Sequence, residues 1–273
     1  MSPTLRSAAG SDVGRRRPMN QDSAATTGRL LAVADGMGGH AHGEVASSVA
    51  VDVMLELDQR LPADLTGVDL PDALGQAVVE AADRLTELAK SDPELRGTGT
   101  TVVAFLVDGE RIGVAHIGDS RAYLLRGGEL FRLTRDHTLV QALVDEGRIT
   151  PEEAAEHPRR SWLVRTLQEA TPADPDLFSV DARVGDRFLI CSDGATAVLD
   201  DDALREVLAT VPDRTEAVQR LIALANDGGG PDNITCIVAD LVDQDADQDA
   251  DQEVDGEPGE NPPVVVGAIA ARG

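Results

Sequence analysis

Residues 30–44 restrict the folds open to this chain more than any other stretch. They read Leu-Leu-Ala-Val-Ala-Asp-Gly-Met-Gly-Gly-His-Ala-His-Gly-Glu. The apolar run from Leu30 to Ala34 reads as a buried strand that stops at Asp35. Gly36, Gly38 and Gly39 then let the backbone turn tightly with no Cβ in the way. A helix pattern starts near Glu44. One carboxylate and bare peptide groups are thus expected at the open end of a sheet. Asp-Gly after a strand is also a common hairpin turn, and this stretch alone leaves both readings open.

The same pattern returns three times. Residues 112–121 read Ile-Gly-Val-Ala-His-Ile-Gly-Asp-Ser-Arg, and residues 187–194 read Arg-Phe-Leu-Ile-Cys-Ser-Asp-Gly. Residues 228–238 read Gly-Gly-Gly-Pro-Asp-Asn-Ile-Thr-Cys-Ile-Val, with the acid before the strand instead of after it. Asp35, Asp119, Asp193 and Asp232 therefore all sit at ends of apolar runs beside small residues. One shared site is the more economical account. Carboxylates gathered there would repel unless a cation lies between them. With only oxygen donors, Mg²⁺ or Mn²⁺ suits such a site better than Zn²⁺. Several carboxylates in one pocket suggest two ions, which make hydroxide available near neutral pH.

The loop Ser11–Asp22 carries Arg15, Arg16 and Arg17. It reads either as a solvated surface loop or as an anion hook, since guanidinium grips phosphate through two parallel hydrogen bonds. An arginine beside paired cations makes phosphate ester hydrolysis the natural reaction. Ser120 and Ser192 lack the Gly-x-Ser-x-Gly setting of an activated nucleophile.

Charge narrows the partners. The net charge is −25, and residues 243–260 hold nine acids and no base. Such a surface repels nucleic acid and anionic lipid. No apolar run approaches the roughly 18 residues of a membrane helix, and the polar, Arg-rich start does not read as a signal peptide. Cys191 and Cys236 lie inside apolar strand patterns and read as buried, reduced thiols of a cytoplasmic protein. With aromatics at 2%, the core must be packed from Val, Leu, Ile and Ala.

The remaining elements follow from periodicity. Apolar stripes predict helices over 44–60 and 72–90. Residues 4–9 suggest a short edge strand. Strands over 101–107, 112–117, 121–126 and 129–133 read as an antiparallel meander, with turns at Asp108-Gly109 and Gly127-Gly128. Short helices are expected over 137–147 and 151–157, strands over 176–182 and 187–191, helices over 201–210 and 214–226, and a last strand over 233–242. From Asp243 the composition becomes low-complexity and self-repelling. The expected organisation is a catalytic domain over 1–242 and an acidic, disordered tail over 243–273.

In this order the motifs resemble the type 2C, metal-dependent protein Ser/Thr phosphatases in their compact bacterial form. The matching stretches are Ser11-Asp12-Val13-Gly14 with Arg17-x-x-Asn20-Gln21-Asp22, Asp35-Gly-Met-Gly-Gly-His40, Gly97-Thr-Gly-Thr-Thr101, Ile117-Gly-Asp-Ser-Arg121, Ser192-Asp-Gly194 and Gly230-Pro-Asp-Asn233. The resemblance implies an α+β, four-layer α-β-β-α sandwich, with two antiparallel sheets face to face and helices outside. It implies a binuclear Mn²⁺/Mg²⁺ centre and water attacking phosphoserine or phosphothreonine. Asp35 resembles the bridging ligand, Gly36 the carbonyl ligand, and Asp193 and Asp232 the other core metal ligands. Asp119 resembles the ligand of a third, weaker ion, shared with Asp193. Arg17 looks like the phosphate clamp, and Asp22 would hold metal-bound water. Residues 136–165 fall where the family has its flap; Arg159 and Arg160 there are candidate peptide contacts or a solvated face.

Three positions depart from the family pattern. Gln21 stands where Glu is frequent. Ala195-Thr196-Ala197 follows Ser-Asp-Gly where a bulkier residue is usual, which predicts a packing change. Met37 occupies the place of a frequent His, so the leaving alkoxide would take its proton from metal-bound water or from another acid; His40 is a candidate for that acid or else a helix-start capping or packing residue. The partners implied are phosphorylated proteins, among them Ser/Thr kinases and their substrates, met by a cytoplasmic monomer. A catalytically dead phosphoprotein-binding relative is the rival reading. An aspartyl phosphotransferase is disfavoured because Asp35 lacks the Asp-x-Asp context, and the only lysine, Lys90, falls on a helix expected to be exposed. Charge disfavours a two-metal nuclease.

Overall fold

The computed structural model describes residues 3–38, 42–169, 171–243 and 262–272. In chain order the strands are β1 (Pro3–Asp12), β2 (Asp22–Thr26), β3 (Leu30–Met37), β4 (Gly99–Thr100), β5 (Val102–Asp108), β6 (Arg111–Ile117), β7 (Arg121–Arg126), β8 (Glu129–Arg132), β9 (Leu167–Gln168), β10 (Asp176–Asp181), β11 (Arg187–Cys191), β12 (Ile234–Asp243) and β13 (Val264–Gly267). The helices are α1 (Gly43–Arg60), α2 (Leu70–Ser91), α3 (Leu139–Asp145), α4 (Pro151–Ala155), α5 (Asp193–Thr196), α6 (Asp201–Thr210) and α7 (Arg214–Asp227).

One sheet runs β1-β12-β11-β7-β8; the other runs β10-β6-β5-β3-β2-β13, with β4 and β9 attached beside β3. All pairings are antiparallel. Three apolar layers hold the α-β-β-α sandwich together. Leu31, Val33, Val103 and Phe105 of one sheet meet Leu124, Phe188, Ile190 and Ile237 of the other. Helices α1 and α2 cover the outer face of the second sheet through Val53, Met54, Leu74 and Val78. Helices α6 and α7 cover the first through Leu204, Val218 and Leu221. The α1 and α2 stripes predicted from the sequence are these buried faces. With few aromatics available, Phe105 and Phe188 meet edge-on between the sheets, ring centroids 5.8 Å apart.

Four local expectations are corrected. First, β3 does not stop at Asp35: it continues to Met37, because β4 adds beside it. Asp35-Gly36 is therefore not a hairpin turn. Second, β2 begins at Asp22, where the sequence reading ends a loop, and runs through residues that reading leaves unassigned; Asp-Ser-Ala-Ala-Thr carries no large apolar residue to mark a period. Third, residues 101–133 are not one meander. Strands β5 and β6 belong to one sheet and β7 and β8 to the other, so the chain crosses between sheets at Gly118–Ser120. Fourth, the expected disordered tail does not extend to residue 273. Val264–Gly267 pair with β2 in register, Val264 opposite Thr26 and Gly267 opposite Ser23. The reason is composition: Val264, Val265 and Val266 supply strand propensity that the acidic repeat lacks. Residues 244–261 lie outside the described residues.

The interlayer aromatic pair generates a stability prediction. Phe188→Ala removes a fully buried ring from the space between the sheets and should cost about 3–5 kcal/mol. A urea unfolding midpoint unchanged from wild type would contradict this packing.

Candidate metal centre

The expected carboxylates come to one mouth at the edge of the two sheets by different routes, close enough to feel one another's charge. Asp22 and Asp35 are directly opposite on β2 and β3. Asp119 lies in the turn that crosses between sheets, and Asp193 opens α5 just after β11. Asp232 sits in the loop before β12. Strands β11 and β12 are adjacent, Cys191 opposite Cys236, which brings the last two acids together.

The backbone around each acid is fixed. The Asp35 N–H donates to Thr101 Oγ1 at 3.0 Å, and the Thr101 N–H and Thr100 hydroxyl both donate to the Asp35 carbonyl at 2.9 Å. Gly36 follows in a space where a Cβ would come within 2.1 Å of the Gly43 carbonyl oxygen and 2.5 Å of that of Gln21. No other residue fits there, so the bare peptide expected from the sequence has a steric cause. Asp22 is wholly buried. Ser192 Oγ donates to its Oδ2 at 2.7 Å, and the Thr235 N–H in turn donates to Ser192 Oγ at 3.0 Å.

The electrostatics follow from this crowding. Burial, then Asp22, Asp193, Asp119 and Asp232, raise Asp35 well above the ordinary carboxylate range. Burial pushes Asp22 up to about 7, against hydrogen bonds from Ser192 and Thr235 that pull it down. Burial and then Asp193 push Asp119 up to about 8. Burial and then Asp232 push Asp193 up to about 6, while a hydrogen bond with Asp35 opposes them. Five carboxyls thus feel one another's charge. Asp22 Oδ1 and Asp193 Oδ1 are buried with no hydrogen-bond partner among the described residues. Orphaned buried oxygens in an all-oxygen cluster fit hard divalent cations.

Arg17 reaches the same mouth. Its Nη2 donates to Asp232 Oδ2 at 2.6 Å, and its guanidinium is held charged first by that bond, then by Asp232, Asp35 and Asp193. Arg15 and Arg16 stay exposed beside it. In the flap, Arg160 lines a groove of about 460 Å³ together with Asp119 and Asp193. Arg159 instead stacks over Trp162, 4.3 Å from the ring centre. His40 lies outside the described residues.

Several residues that hold the site were not singled out from the sequence. Asn233 accepts the Gln21 N–H at Oδ1 and donates from Nδ2 to the Val13 and Met19 carbonyls, each at 2.9 Å. It thereby anchors both ends of the arginine loop. Its place beside Asp232 was the available signal. Thr101 and Ser192 fall inside matching motifs, but their backbone and hydroxyl contacts gave them no role until the fold was known. Gln21 also gains a reason. Its Nε2 donates to Glu44 Oε2 at 3.2 Å, where a Glu would set two carboxylates against each other.

A family model described as protein phosphatase 2C matches residues 9–226. The chain belongs to the protein phosphatase 2C family. The Mycobacterium tuberculosis protein named serine/threonine protein phosphatase PstP is 46% identical over 266 residues, 97% of this chain and 48% of that protein. The chain thus spans about half the length of that relative. The serine/threonine phosphatase stp of Listeria monocytogenes is 35% identical over 234 residues, 84% of this chain and 93% of that protein. A crystal structure of the Mycobacterium tuberculosis phosphatase PstP/Ppp superposes with a TM-score of 0.83 at 48% identity, covering 88% of this chain and 100% of that one. The PstP catalytic domain in complex with two manganese ions gives 0.82 at 47% identity, covering 89% of this chain and 100% of that one. These likenesses agree with the sandwich and with the phosphatase 2C motifs in the sequence.

The carboxylate cluster predicts a pH dependence. A carboxyl whose folded pKa is raised binds protons more tightly when folded, so its stabilising effect is full below about pH 4 and is lost as pH rises through the folded value. Protein treated with a chelator should therefore melt at progressively lower temperature from pH 4 to pH 8, with the loss steepest between about pH 4 and 6, where the unfolded chain has released protons that the folded cluster still holds, and levelling off toward pH 8. Added Mn²⁺ should raise the melting temperature more at pH 8 than at pH 5, because protons compete for the same oxygens. Asp35→Asn should flatten the slope. A slope equal to that of wild type would remove Asp35 from the cluster.

Proposed function

We propose that this chain is a Mn²⁺- or Mg²⁺-dependent protein serine/threonine phosphatase that hydrolyses phosphoserine and phosphothreonine. The observation that carries the reading is the set of mutually repelling acids at one mouth, two with orphaned buried oxygens, facing an arginine. Asp35, the Gly36 carbonyl, Asp193 and Asp232 are the residues that would hold two core ions, with Asp119 and Asp193 serving a third. When bound, such ions lower the pKa of water and neutralise the phosphate oxygens.

The protein's own groups do the rest. Arg17 orients the substrate phosphate, exchanging its bond to Asp232 for a charge-assisted pair with phosphate oxygens. Asp22, anchored at Oδ2 by Ser192, leaves Oδ1 free to accept a hydrogen bond from water in the site. The Asn233 anchors keep the Arg17 loop from drifting relative to the carboxylates. His40, just past the strand that carries Asp35, is retained as the candidate proton donor to the leaving alkoxide.

The catalytic unit runs to about residue 242, with the segment 262–272 packed back onto it. Its partners are phosphorylated proteins, including Ser/Thr kinases and their substrates, and it acts as a monomer in the cytoplasm. Cys191 and Cys236, directly opposite on adjacent strands yet free, accord with a reducing compartment. No helix among the described residues is long and apolar enough to cross a membrane.

Two variants test this reading. Asp193→Asn should abolish Mn²⁺-dependent dephosphorylation of a phosphothreonine peptide while circular dichroism stays unchanged; equal rates would refute the assignment. Arg17→Ala should lower kcat/KM by roughly 10- to 100-fold, the worth of one charge-assisted hydrogen bond, mainly by raising KM. If KM and kcat both hold at wild-type values, Arg17 does not touch the substrate.

A further inference from the structure

His116 on β6, His137 at the root of the flap and Asp176 at the start of β10 form a second cluster of titratable groups. One candidate ligand atom from each lies within 4.8 Å of the others, a spacing compatible with a metal ion. The hydrogen bonds argue against an ion. His137 Nδ1 accepts the Gly118 N–H at 3.0 Å, so its proton is on Nε2, which donates to Asp176 Oδ2 at 3.0 Å. A neutral imidazole in that tautomer has no lone pair left for a metal. His116 Nε2 lies 3.1 Å from the Ser120 carbonyl and must carry the proton there. Its Nδ1 is buried without a partner among the described residues.

What the cluster grips is the turn that crosses between the sheets. Gly118 sits at φ +110, with a hypothetical Cβ only 2.5 Å from the Thr101 side chain. His137 binds this residue twice, accepting its N–H at Nδ1 and donating its own N–H to the Gly118 carbonyl at 2.8 Å. His116 binds Ser120, on the other side of Asp119. Ser120 Oγ meets Thr101 Oγ1 at 2.7 Å, and Thr101 Oγ1 also accepts the Asp35 N–H. The two imidazoles therefore bracket Asp119 and couple its turn to the strand of Asp35.

The backbone at His137 ties down the flap, and the imidazole reaches the flap's exit through Asp176. The Val164 N–H donates to the His137 carbonyl at 2.8 Å, and Leu139 donates to Trp162 at 2.8 Å, so the flap's entry and exit cross here. Asp176 accepts His137 at one oxygen and Arg165 Nη2 at the other, at 2.7 Å. Arg121, next to Ser120, pairs with Asp136, next to His137, at 2.7 Å.

We propose that His137, held in its tautomer by Asp176, is a positioning residue for Asp119: it sets the Gly118–Ser120 turn that carries that carboxylate and couples it to both roots of the flap. The inference rests on the reading of Asp119 as a ligand of the third, weaker cation. Asp119 would hold the ion; His137 acts only through the backbone beside it.

The test uses the full chain with His137→Leu, His137→Asn, Asp119→Asn and the Asp119→Asn/His137→Leu double variant. Mn²⁺ binding is followed by calorimetric titration, and backbone hydrogen exchange over residues 117–121 is measured alongside. His137→Leu should speed exchange at Gly118 and weaken the weakest Mn²⁺ site by roughly 10- to 100-fold, the usual effect of removing an outer-shell support. His137→Asn keeps a carbonyl acceptor for the Gly118 N–H and should recover most of that affinity. The double variant should bind Mn²⁺ no worse than Asp119→Asn alone, because the histidine works through that carboxylate. Unchanged exchange at Gly118 in His137→Leu overturns the inference whatever Asp119 does. So do additive losses in the double variant. Intact Mn²⁺ binding in Asp119→Asn overturns the reading of Asp119 itself, and the inference with it.

Discussion

Repulsion among carboxylates buried at one mouth is the constraint around which the rest of the molecule is arranged. Desolvation alone raises the cost of ionising Asp22, Asp35, Asp119 and Asp193, and each then feels its neighbours. A fold that tolerates this must hold the acids rigidly, since any slack lets them part. The rigidity comes from the interlayer core and from backbone anchors: Thr100 and Thr101 on Asp35, Ser192 on Asp22, Asn233 on the arginine loop. The cost of assembling like charges is one that a divalent cation among them would offset.

The candidate site was more legible in the sequence than the path of the chain was. Asp35, Asp119, Asp193 and Asp232 each follow or precede an apolar run and abut a small residue, and that local signature survives folding unchanged. Asp22 was reached only through family resemblance, because β2 is made of small and polar residues with no period to read. The same weakness hid the change of sheet at Gly118. Hairpins within one sheet and a crossover between two sheets look alike when every strand is short and apolar. Only the pairing partners, which lie dozens of residues away, distinguish them.

Tertiary context also rewrote roles that looked local. Asp35 is a residue within a strand rather than a strand terminus, since β4 extends the pairing past it. Arg159, a candidate peptide contact by position, is stacked on Trp162, while its neighbour Arg160 faces the groove beside Asp119. Two adjacent arginines with identical composition thus acquire different work from the turn between α4 and β9.

Strand β13 has a consequence for solubility. Without it, β2 would be the last strand of its sheet, a short ribbon with one side of unsatisfied amides and carbonyls. Four residues, Val264 to Gly267, cap that border, and the two that follow lock on through the Asp22 carbonyl and the Ser23 hydroxyl. An uncapped border is a template on which a foreign strand can grow. The chain fills that place itself and passes the border to β13, a strand of only four residues and so a poor template.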